Sequence, residues 1–189
     1  MTSHIASLTL PSFVFASPAV AILTPLALGN AIGFITRPDK TKRQYKELKQ
    51  PPLNPPAWVF APVWSALYAG MGYASHRAWM AGMNSSFDPQ AVTLAKHGAT
   101  LYTVQLGLNL IWMPLFFGLR RPKEALADIV ALVGTTSYLI YVWGKVDTTA
   151  SWLMVPYLGW LSFATYLTIG CGILNEWDFS NKQVVPKTE

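Results

Sequence analysis

Five apolar stretches, each long enough at roughly 20 residues to cross a bilayer, take up most of this 189-residue chain. They lie at about 13–35, 57–80, 97–119, 124–145 and 149–174. Backbone polar groups in hydrocarbon must be satisfied internally, so such stretches form helices. The predicted fold is all-α: an integral membrane bundle of five transmembrane helices over residues 13–175. A tail of residues 1–12 precedes it and a tail of 176–189 follows. Composition supports this reading, since charged residues are 12% and apolar residues 52% of the chain. The charged share is about half the ~25% of a soluble domain.

The formal charge of +5 would suit nucleic acid, but its placement argues for topology instead. Arg37, Lys40, Lys42, Arg43, Lys46, Lys49, Arg120, Arg121, Lys123, Lys182 and Lys187 fall on one side of a five-span bundle. The other side holds Lys96 and Lys145, with Arg77 near a helix end. The positive-inside bias puts the first loop and the C-terminus in the cytosol and the N-terminus outside. No basic residue precedes Arg37, which argues against a charged signal sequence or an Arg-rich presequence. The first helix is expected to be retained. Cys171 stands alone, so no internal disulfide or cysteine metal cluster can form, and packing in the fifth span is its expected role.

The third stretch carries the strongest pattern. In YTVQLGLNLIWMPLFF, Gln105, Asn109 and Trp112 recur at i, i+4 and i+7 and share one helical face. Ala95, Ala99, Thr103 and Gly107 repeat every four residues about 200° away. Small residues at this spacing let membrane helices approach closely, whereas amides in hydrocarbon should face an interior. One helix thus presents a packing face and a lining face. The small-residue face suits either a symmetric homodimer, with this stripe meeting itself, or packing within the monomer. Gly29 and Gly33 in the first span, and Ala66, Gly70, Ala74 and Ala78 in the second, offer further close-approach surfaces.

The loop 36–56 is charged and then proline-rich, ending QPPLNPPAW. Pro51, Pro52, Pro55 and Pro56 restrict its backbone to extended or turn geometry. It is built to hold a shape, either as a lid across the bundle mouth or as a stiff connector. Pro62, Pro114 and Pro156 are expected to interrupt three of the helices.

The eight tryptophans divide by depth. Trp58, Trp79, Trp143, Trp152 and Trp177 lie near predicted helix ends, where aromatic belts form. Trp64 and Trp112 sit about 10 Å from the cytosolic ends of their helices, and Trp160 near the middle of the fifth. All three are expected to converge beneath the proline-rich loop. Phe60, Trp64, Tyr68 and Met71 form one face of the second span, and Pro156, Trp160, Phe163, Ala164 and Leu167 one of the fifth. With Gln105, Asn109 and Trp112 they compose an aromatic wall with a few hydrogen-bonding groups, which suits a flat, largely apolar ligand.

These motifs resemble the translocator protein / tryptophan-rich sensory protein family, formerly the peripheral benzodiazepine receptors. The carriers are KQPPLNPPAWVFAPVWSALYAGMGYASHRAW, YTVQLGLNLIWMPLFFG, the pair Ala127-Asp128 and VPYLGWLSFATYL, between roughly Leu26 and Trp177. The resemblance implies a five-helix bundle, often dimeric, that binds porphyrins or haem, sterols and synthetic benzodiazepine- or isoquinoline-type ligands. It implies the mitochondrial outer membrane as the eukaryotic location, which would put this N-terminus in the intermembrane space. Position by position, it assigns porphyrin chemistry to Trp64 and Trp160, ligand contacts to Gln105, Asn109 and Ala164, and a loop aromatic to Tyr45. The tryptophan that precedes that aromatic in the family is Gln44 here. No basic residue follows Tyr166 until Lys182, so the family's sterol-recognition pattern is missing from this helix.

The chain contains no HExxH, no Cys/His cluster at ligand spacing, no GxSxG and no phosphate-binding glycine loop. No metal site, catalytic residue or required cofactor is therefore assigned. His4, His76 and His97 are scattered, and Asp128 in the fourth span is read as interfacial or packing rather than proton-carrying. Two functions lead: sensing, sequestration or passage of tetrapyrroles and other lipophiles, or an enzyme-like, light-dependent breakdown of porphyrin at Trp64 and Trp160. A small-lipophile carrier is weaker, because intramembrane charges and paired broken helices are missing. Asn84-Ser85-Ser86 forms a formal glycosylation sequon, which stays unused if that loop faces the intermembrane space.

Overall fold

A computed structural model describes residues 4–36, 48–85 and 88–179. Its helices are α1 (Ser12–Ala16), α2 (Pro18–Ile35), α3 (Phe60–Met83), α4 (Pro89–Met113), α5 (Pro122–Gly144) and α6 (Thr148–Leu174). A π turn, Pro114–Gly118, extends α4, and short 3₁₀ turns occupy Ala6–Leu8 and Ala57–Val59. No strand occurs among the described residues.

Local chemistry explains where the helices differ from the apolar runs. Helix α4 begins at Pro89, well before residue 97, because Asp88 caps it by accepting from the Gln90 and Ala91 amides at 2.9 and 3.2 Å. An acidic cap followed by proline at the first helical position is a strong start signal, and it overrides the polar Thr93, Lys96 and His97. Asp147 caps α6 in the same way, accepting from the Ala150 amide at 3.0 Å. The predicted first span is split: Ser17 is extended and Pro18 restarts the chain as α2. Pro62 lies in the first turn of α3, where its missing N–H costs nothing. Pro114 opens the π turn, and only Pro156 falls inside its helix as expected.

Helices α3, α4, α5 and α6 form a closed ring, each packed on the next and α6 returning to α3, while α2 docks outside on α3 and α4. Four helices (α2, α4 with its π turn, α5 and α6) have the length and apolarity to cross a membrane. The 24-residue α3 has the length too, and its polar Ser65, Ser75, His76 and Arg77 account for its lower hydropathy. With α3 the bundle has five spanning helices.

The two ends are closed by different means. At one end, the strap end, residues 4–11 lie along α4: the Leu10 amide donates to Thr103 Oγ1 at 3.0 Å and the Ile5 amide to Thr100 Oγ1 at 3.3 Å. Arg77 pairs with Asp147 at 2.9 Å, tying α3 to the cap of α6. At the other end, the proline end, the loop before α3 is fastened to α6. Asn175 Nδ2 donates to the Lys49 carbonyl (2.9 Å) while its Oδ1 accepts from the Lys49 amide (3.1 Å). Tyr166 donates to the Pro52 carbonyl at 2.9 Å, and Pro51 lies so close to Gly170 that a methyl there would overlap it.

Candidate functional site

The strap half of the ring is filled. Tyr102 stacks on Trp143 at 5.8 Å and meets Phe15 edge-on, and Phe15 stacks on Trp79. Trp143 is therefore a core residue, 1% exposed, rather than part of an aromatic belt. Its ring reaches the middle of the helix pair because α4 offers Gly98 beneath it. Trp58 and Trp152, at 74% and 68% exposure, do have the exposure a belt requires.

Deeper in the ring, polar side chains replace the aromatic filling. Tyr68 of α3 donates to Asn109 Oδ1 at 2.7 Å, and Asn109 Nδ2 donates to the Tyr157 hydroxyl of α6 at 3.1 Å. Tyr157 in turn donates to Gln105 Oε1 at 3.0 Å. This buried chain joins three helices, and Trp64 covers it, 5.3 Å from Tyr68 and 6.3 Å, edge-on, from Tyr157. Gln105 is fully buried, yet its Nε2 has no partner. Tyr68 also packs on Gly29 of α2, where a side chain would overlap its ring.

The sequence-derived wall is thus assembled only in part. Trp64, Tyr68, Gln105 and Asn109 meet, around a residue the pattern missed, Tyr157. Trp112 belongs to a second cluster at the proline end, stacked on Phe116 at 5.0 Å with Phe117 edge-on, beside Ala125, Cys171, Leu48 and Phe179. Trp160 belongs to a third, with Phe60 at 5.9 Å and Phe163 at 5.7 Å, and Phe163 stacks on Tyr166. Ala164 is half-buried beside them on α6 and its carbonyl accepts from Thr168. No ring contact joins any two of Trp64, Trp112 and Trp160 among the described residues. Trp64 and Trp160 lie along the same contact between α3 and α6, through the pairs Trp64–Tyr157 and Phe60–Trp160, while Trp112 packs on Phe116. Tyr45 lies outside the described residues.

The missed residue had a signal. Ala150, Met154, Tyr157, Leu161, Thr168 and Cys171 are the buried positions of α6, a heptad-like series. The face chosen from aromatic residues, Pro156, Trp160, Phe163 and Leu167, flanks it by about one residue, or 100°.

The small-residue stripe also divides. Ala95 and Ala99 are 1% and 2% exposed within the single chain, and Ala95 presses on Gly82 of α3. Thr103 accepts from Leu10 of the strap. Ala95 and Ala99 are spent inside the monomer rather than on a dimer face, and Thr103 is half-buried beside the N-terminal strap. Gly107 alone stays open, with nothing near the position of a Cβ. A recess of about 370 Å³ lies on this Thr103 side of α4, between the strap residues Ser7–Pro11 and Val104, not on the Gln105 side. The described His, Cys, Asp and Glu residues form no cluster able to hold a metal ion. His4 reaches Thr100 and the Lys96 carbonyl, and His76 donates to the Phe15 carbonyl at 2.7 Å.

A ring of apolar helices enclosing a buried, aromatic-covered hydrogen-bond chain defines a polytopic helical membrane protein with a polar interior. The chain belongs to the TspO/MBR family, which it matches over residues 21–174. It is 44% identical over 156 residues to the translocator protein homolog of Schizosaccharomyces pombe, covering 82% of this chain and 90% of that one. It is 36% identical over 167 residues to the translocator protein of Bos taurus (88% and 91%). The tryptophan-rich protein TspO of Archaeoglobus fulgidus is 36% identical over 156 residues (82% and 94%).

Proposed function

We propose that this membrane protein binds porphyrin or haem, and other flat lipophiles including sterols, inside the helix ring, and that binding serves sensing, sequestration or passage of the ligand. The observation that carries this is the Tyr68–Asn109–Tyr157–Gln105 chain under Trp64. A membrane bundle needs no buried polar chain for stability, since polar groups in hydrocarbon are costly. Aromatic rings beside a few fixed donors and acceptors are what a flat, sparsely polar ligand requires. Names of relatives, translocator and sensory protein, fit the same reading. The placement that goes with it is the mitochondrial outer membrane, N-terminus in the intermembrane space and C-terminus cytosolic. The assembly is a homodimer whose contact on α4 centres on Gly107 with the exposed Val104 and Ile111, in place of the buried alanines.

The test is titration of the purified protein with protoporphyrin and with a sterol, following tryptophan fluorescence. Quenching that saturates, and that weakens several-fold in Trp64→Ala as expected for loss of roughly 1 kcal/mol of ring stacking, supports the reading. Equal affinity in a folded Trp64→Ala variant would remove the proposed pocket. An endoglycosidase-sensitive mass shift at Asn84 in native material would overturn the mitochondrial placement.

A further inference from the structure

Asp128 is a carboxylate beyond the first turn of a spanning helix, and its Oδ2 is shut off from solvent without a hydrogen-bond partner. The ion pairs among the described residues, Arg77–Asp147 and Arg121–Glu124, do not involve it. Trp112 has the complementary defect: its Nε1–H is also buried and unpaired. Both are expensive to leave so in an apolar surrounding.

Helix register brings the two to one depth. Helices α4 and α5 run antiparallel, with Gly98 against Trp143 near one end and Phe116 clustered with Ala125 near the other. Position 112 on α4 therefore lies opposite positions 128–129 on α5. Asp128 follows Ala125 by three residues, on the same face, and Trp112 packs against Ala125's cluster. At this depth a buried donor and a buried acceptor each lack a hydrogen-bond partner.

We propose that Trp112 and Asp128 are a recognition subsite for an O–H group on the ligand, the indole N–H donating a hydrogen bond to its oxygen and the Asp128 carboxylate accepting one from its O–H. This rests on the ligand-binding reading above and adds a residue and a chemistry to it. An O–H group is the simplest partner that satisfies both at once. It can come from the carboxyl of an acidic porphyrin or from the alcohol of a sterol.

The experiment uses the full-length protein in detergent with two pairs of probes: protoporphyrin against its dimethyl ester, and cholesterol against its 3-methyl ether. One hydrogen bond to a buried charged group is expected to make the O–H form bind roughly tenfold tighter than its blocked partner in at least one pair. Trp112→Phe, which keeps the ring and removes the N–H, and Asp128→Leu should each bring that ratio close to one. A ratio lost in the porphyrin pair names the carboxyl, and one lost in the sterol pair names the alcohol. Equal binding within both pairs in the wild type, which needs no variant to fold, overturns the subsite, as does a ratio that survives both substitutions. If no probe binds the wild type at all, the ligand-binding reading falls and the subsite with it.

Discussion

The two halves of the helix ring are built to opposite rules. Toward the strap end, side chains are seated on glycines: Trp143 on Gly98 and Ala95 on Gly82. Toward the proline end, Trp112, Phe117, Trp160 and Phe163 are half-buried and helix α4 widens into a π turn. A filled core resists any change of volume, whereas half-buried rings beside a π turn leave room for adjustment.

Substitutions of equal size should expose this division. Trp143→Ala empties a fully buried site and is expected to cost about 3–5 kcal/mol. Its unfolding temperature in detergent should fall far more than that of Trp112→Ala. Equal losses would mean that the halves do not differ in packing. Tyr157→Phe lies between the two regions. It leaves the Gln105 oxygen buried without its donor, a loss of about 1–3 kcal/mol, and should weaken ligand binding as well as stability. A variant that melts like the wild type would show that the polar chain is not formed in the membrane. Gly107→Leu should leave the melting temperature nearly unchanged, because its Cβ meets open space, but shift a dimer toward monomer on size exclusion. Ala99→Leu should destabilise the monomer instead, since α3 and the strap side leave no room. The smallest effect is expected for Asn175→Ala. Its two hydrogen bonds to Lys49 are exposed, so amide exchange at Leu48, Lys49 and Gln50 should quicken with little change in melting.

Much of the architecture was legible in the chain because bilayer-crossing length and apolarity are local properties. The amide face of α4 was legible too, since Gln105 and Asn109 stand out against an apolar background at helical spacing. Helix α6 was not. It is apolar on nearly every side, so periodicity offers little contrast between its lipid-facing and core-facing residues, and Trp160 drew attention from Tyr157. The start of α4 at Asp88 was written in cap chemistry rather than hydropathy.

What the sequence determined by itself is the membrane, the count of spanning helices, and the presence of polar side chains that cannot rest in hydrocarbon. Each follows from transfer energies that act residue by residue. What the tertiary structure decided is how those residues are shared out. Ala95 and Ala99 went to the monomer core rather than to a partner, and Trp143 to the core rather than the interface. These outcomes depend on the relative rotation and register of helices whose lipid-like surfaces hardly distinguish one orientation from another. They are settled by close packing and by the Tyr157-centred hydrogen bonds, interactions that exist only once the helices have met.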